Sequence, residues 1–111
     1  MAGDQFLNAT LEVKRKFIRR KAGEMGLTVT SEYRNDPNSF HGKNRAIDVA
    51  GAPAAMARFF RAFEPLAREK KGVRELFYDP VGAWDNFQRI PPVGGHSDHV
   101  HIAFDPPPTS S

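Results

Sequence analysis

Apolar residues recur along this chain in two rhythms, one near 3.6 residues and one of two, and the change between them marks out its elements. From Asn8 to Met25 the residues Leu7, Leu11, Ile18 and Met25 trace an uneven helical stripe, with Thr10 placed to cap its start and Gly26 to stop it. Lys14 falls inside that stripe. A second helix is predicted from Pro53 to Lys70, with Met56, Phe59, Phe60 and Phe63 on one face. Pro53 sits in the first turn, where its missing N–H does no harm, and Pro65 is expected to end or kink the helix.

The two-residue rhythm appears in three places. In Ala46-Ile47-Asp48-Val49-Ala50 the residues Ile47 and Val49 share one face and Ala46, Asp48 and Ala50 the other. Val100, Ile102 and Phe104 likewise oppose His99, His101 and Ala103. In Leu27 to Arg34, Val29 faces away from Thr28, Thr30 and Arg34. Arg74 to Tyr78 is a further strand, and Gly82 to Gly95 is read as a loop holding Trp84, Phe87 and Pro91-Pro92, long enough to be functional. These elements predict a small α+β domain: a mostly antiparallel sheet with two helices on one face and a zinc site on the other.

At 111 residues and 40% hydrophobic, the chain makes one domain, taken as 1–104. Residues 105–111, rich in proline and serine, read as a tail or linker, as though the chain were a segment of a longer protein. There is no apolar signal-peptide stretch at the N-terminus and no run long enough to span a bilayer. A net charge of +3 and a pI near 9.5 suit an anionic partner such as peptidoglycan or nucleic acid. The basic run Lys14 to Lys21 is read as a solvated helix face.

With no cysteine, any metal site must be built from His, Asp and Glu. The stretches Ser39 to Asp48 and Asp98-His99-Val100-His101 together offer two imidazoles and a carboxylate to one zinc ion, and Asp98 is a further carboxylate able to act as a base. The stretch from His41 to Asp48 would span about 23–25 Å if extended. It must therefore fold back, and Gly42, Lys43 and Asn44 supply the turn.

The pattern Ser39-x-His41, Ala46-x-Asp48, then Asp98-x-x-His101 resembles the zinc DD-peptidases, which include D-alanyl-D-alanine carboxypeptidases and L-alanyl-D-glutamate endolysins of bacteriophages. Asn44 stands where that family has glycine, and Asn tolerates a left-handed backbone. The resemblance runs from Thr28 to Phe104. It implies His41, Asp48 and His101 as zinc ligands, Asp98 as general base on the attacking water, and Arg34 as the cation that helps stabilise the oxyanion. Ser39 is expected to hydrogen-bond near the ligands and Trp84 to stack on substrate.

Lysostaphin-type endopeptidases carry a His-x-His in which the first histidine helps activate water, so His99 competes with Asp98 for the role of base. The runs Arg74 to Pro80 and Gly94 to His101 also resemble peptidase segments of phage tail tape-measure proteins. The expected function is zinc-dependent hydrolysis of peptidoglycan stem peptides, by a monomeric domain of a phage tail protein or one otherwise delivered to the bacterial wall. The alternative is a non-catalytic, zinc-stabilised wall-binding or tail-structural module. A metal-dependent nuclease ranks below both, because such sites gather more carboxylates around a harder ion.

Overall fold

The computed structural model describes residues 2–32 and 45–108. Its elements are α1 (Gly3–Asn8), α2 (Leu11–Glu24), β1 (Thr28–Ser31), β2 (Ala46–Ala50), α3 (Pro53–Arg68), β3 (Val73–Tyr78), β4 (Gly82–Asp85), β5 (Gln88–Ile90) and β6 (Val100–Phe104). The predicted α+β architecture with an antiparallel sheet holds, but the described residues form three helices rather than two. No helix among the described residues is long and apolar enough to cross a membrane.

The first predicted helix is broken at its N-terminal end. Ala9 and Thr10 are extended, and the Thr10 hydroxyl accepts the Val13 N–H at 3.1 Å, so α2 begins at Leu11 and Asn8 closes a separate short helix. Gly26, at φ +75°, ends α2 as expected. The Leu27 N–H bonds the Ala22 carbonyl at 2.8 Å and the Gly26 N–H bonds that of Gly23 at 3.1 Å.

Helix α3 runs through Pro65 to Arg68 instead of stopping at the proline. Pro65 gives no N–H to the carbonyl of Arg61, which lies on the solvent side, while Ala67 beyond it is fully buried. Packing of Ala67, with partly buried Leu66, against the core helps to hold that last turn in the helix.

The six strands are ordered β1-β2-β6-β3-β4-β5 and every neighbouring pair is antiparallel. Residues 82–95 are therefore not one loop. Asn86 and Phe87, both at positive φ (51° and 67°), form the two-residue turn of a β4–β5 hairpin, and the loop proper is 91–99.

Cross-strand register assigns the two faces. Ile47, Leu76 and Ile102 lie side by side on one, joined by Val49, Val100 and Phe104, all fully buried. Ile18 of α2 and Phe59, Phe60 and Phe63 of α3 complete the same core. Phe6 of α1 meets Phe17 and Phe63 edge-on at 5.9 and 6.3 Å.

Candidate metal and catalytic site

Asp48 of β2 stands directly across from His101 of β6, and His101 from Phe77 of β3. Because side chains alternate along a strand, all three point away from the helix layer. Glu75, two residues before Phe77, joins them on that face.

The His101 Nδ1 lies 3.0 Å from Asp48 Oδ1 and its Nε2 lies 2.9 Å from Glu75 Oε1. The imidazole stacks on the Phe77 ring at 5.3 Å and 18°. Asp48 and His101 are only 7% and 8% exposed. Burial by itself lowers the His101 pKa, but the hydrogen bonds to Asp48 and Glu75 outweigh it and raise the pKa above the usual histidine value. In the metal-free chain the two flanking carboxylates favour the protonated form of His101.

Asp98 and His99 come from the end of loop 91–99. The His99 Nδ1 lies 2.8 Å from Asp98 Oδ1, and that bond, with the charge of His99, holds the Asp98 carboxyl below its usual range. An ionised carboxylate only accepts, so in this contact the His99 Nδ1 is the donor. Thr30, Asp48, Ala50, Asp98 and His99 together line an open cleft of about 220 Å³. His96, from the same loop, also packs here, with ring centroids 5.0 Å from His99 and 5.2 Å from Phe77.

Three sequence-predicted residues, Arg34, Ser39 and His41, lie outside the described residues. Among the described residues no group of three or more His, Cys, Asp or Glu side chains could hold a metal ion. Asp48 and His101 do fit as two members of such a set. Their donor atoms are 3.0 Å apart, against about 3.3 Å for two ligands of one tetrahedral zinc at bond lengths near 2.0–2.1 Å. With Glu75 on Nε2, the nitrogen turned toward Asp48 is the one a metal would take.

Trp84 is placed elsewhere. It pairs with Leu76 on the helix-facing side, is 8% exposed, and donates its indole N–H to Glu64 of α3 at 2.9 Å. The loop expected to carry it toward substrate is a strand, and the strand's parity turns the indole into the core.

Glu75 was missed. The signal was its parity with Phe77 in the Arg74–Tyr78 strand, but the pairing of that strand with the His101 strand is a property of the fold. Comparison with protein-family models, with curated proteins and with solved structures found no match.

Proposed function

We propose that this domain is a zinc-dependent peptidase acting on the stem peptides of bacterial peptidoglycan, delivered to the wall as part of a phage tail. The observation that carries the reading is the facing pair Asp48 Oδ1 and His101 Nδ1, 3.0 Å apart and backed by Glu75, in register beside the cleft that holds Asp98 and His99. The expected motif places His41 as the third ligand.

Bound zinc would supply Lewis acidity that brings the pKa of a water down to about 7. The remaining work falls to the chain. Asp48 and His101 would hold the ion, and Glu75, on the His101 Nε2, would fix the orientation of the ring. The Asp98–His99 pair is proposed to take the proton of the attacking water and return it to the leaving amine, with Asp98 as the base the motif implies, His99 competing for that role, and the 2.8 Å contact holding the two together. Arg34 is proposed to share the oxyanion charge.

Purified protein should carry about one zinc per chain and release new amines from peptidoglycan sacculi, with His101→Ala losing both. A second reading has its own support. His101 has both nitrogens satisfied by carboxylates, so the triad can knit the sheet as a structural group in a non-catalytic module. Zinc-loaded protein that leaves sacculi and defined stem peptides intact would decide for that module.

A further inference from the structure

Strand β5 lies at one edge of the sheet and β6 between β2 and β3, so loop 91–99 must cross the ends of β4 and β3 to deliver Asp98 and His99 to the site. That crossing is about 14 Å at the usual strand spacing. Gly94 and Gly95, at φ +86° and +73°, bend the loop. Such a loop has no ladder to hold its register.

One side chain meets it midway. Asp79, just beyond the end of β3, accepts the Gly94 N–H on Oδ1 at 3.2 Å and the His96 N–H on Oδ2 at 3.0 Å. Its own N–H donates to the His96 carbonyl at 2.9 Å. A carboxylate that takes two backbone N–H groups fixes both the height and the rotation of the segment. The His96 ring, turned by its Nδ1 contact with the Gly94 carbonyl at 2.7 Å, then rests against Phe77, His99 and His101.

We propose that Asp79 is a positioning residue for catalysis: by clamping Gly94 and His96 it sets loop 91–99, and through it the place of Asp98 and His99 over the Asp48–His101 pair. The role in catalysis rests on the peptidase reading; the clamp itself does not. Asp79 is not among the residues that line the cleft and its side-chain hydrogen bonds go to Gly94 and His96, so its removal should leave Asp48 and His101 in place and displace the proton-handling groups.

The test compares Asp79→Ala, which removes both acceptors, with Asp79→Asn, which keeps one oxygen. In Asp79→Ala the amides of Gly94 and His96 should exchange with solvent about tenfold faster or more, and the His96 and His99 ring resonances should shift. On a defined stem peptide kcat should fall about tenfold, with KM and bound zinc unchanged and Asp79→Asn in between. A purely structural role would lower melting temperature without this separation of kcat from KM. Wild-type exchange and ring signals in Asp79→Ala would overturn the clamp, and an unchanged kcat with the amides opened would overturn its role in catalysis. If wild-type protein hydrolyses nothing, the peptidase reading fails, and the exchange and ring signals of either variant still decide the clamp.

Discussion

His101 has a carboxylate on each ring nitrogen, Asp48 at 3.0 Å and Glu75 at 2.9 Å, and a metal can displace the proton from only one of them without losing the other contact. In the proposed zinc site Glu75 is the partner that stays. Glu75→Ala should therefore weaken zinc binding by about 10–100-fold, as loss of such an outer partner typically does, while Glu75→Gln, which keeps an acceptor, should lose less. Competition against a chromophoric chelator measures both. Protonation gives a second expectation at the same residue. The His101 pKa is raised in the metal-free fold, so the folded chain holds that proton more tightly than the unfolded chain does. The stability this supplies is fully present below about pH 6.5, the unfolded value, and is lost as pH rises through the folded value. Urea midpoints of metal-free protein should fall across that window, and those of His101→Asn should stay flatter. Zinc in the proposed site would have to expel the same proton, so its affinity should rise with pH over the range, with proton release visible by calorimetry in buffers of different ionisation enthalpy.

The two long helices close with the same hydrogen-bond pattern on different residues. After α2 the left-handed position is Gly26; after α3 it is Lys70, at φ 58°, with the Lys71 N–H bonded to the Leu66 carbonyl at 2.8 Å. A non-glycine residue there costs about 1–2 kcal/mol, and replacement by glycine forfeits part of the gain through the freer unfolded chain. Lys70→Gly should raise stability by about 1 kcal/mol, or roughly 4 °C in melting temperature, and calorimetry checks it. The contrast also explains what could be read in advance. Gly26 announced its helix end, and Ile47/Val49 and Val100/Ile102/Phe104 announced their strands, because residue type and local geometry agree there. The β4–β5 turn announced nothing, since Asn86-Phe87 stands where Asn-Gly is usual; Phe87 keeps its φ of 67° under the Arg74 guanidinium, 4.5 Å from its ring. The facing of Asp48 and His101 followed from parity. That they meet, and that Glu75 joins them, follows from the order β2-β6-β3, which no local pattern encodes.

At the scale of the molecule, the residue read as the first of a loose tail is bound into the fold. The Asp105 carboxylate pairs with Arg45 and Arg74, its N–H bonds the Gly72 carbonyl, and its own carbonyl takes the ammonium of Lys14. Lys14, the odd member of the helical stripe, is fully buried, donates also to the Leu7 carbonyl at 3.0 Å and lies 5.5 Å from the Phe6 ring. Burial lowers its pKa and Asp105 opposes that shift. One cation thus ties α1 and α2 to the end of β6. Lys14→Met keeps much of the volume but leaves two carbonyls without their donor, about 1–3 kcal/mol each, offset by no longer desolvating a charge. Lys14→Ala adds a cavity worth about 2–5 kcal/mol. The alanine variant should therefore lose about 3–5 kcal/mol in urea unfolding and the methionine variant about 1–2. If Lys14→Met matched wild type, packing alone would be holding the helices to the sheet. The tie lies away from the Asp48–His101 pair, so either variant, at temperatures where it remains folded, should bind zinc as wild type does. A loss of zinc affinity in folded Lys14→Met would mean that the tie also sets the register of β6 on β2, and with it the separation of the two ligands.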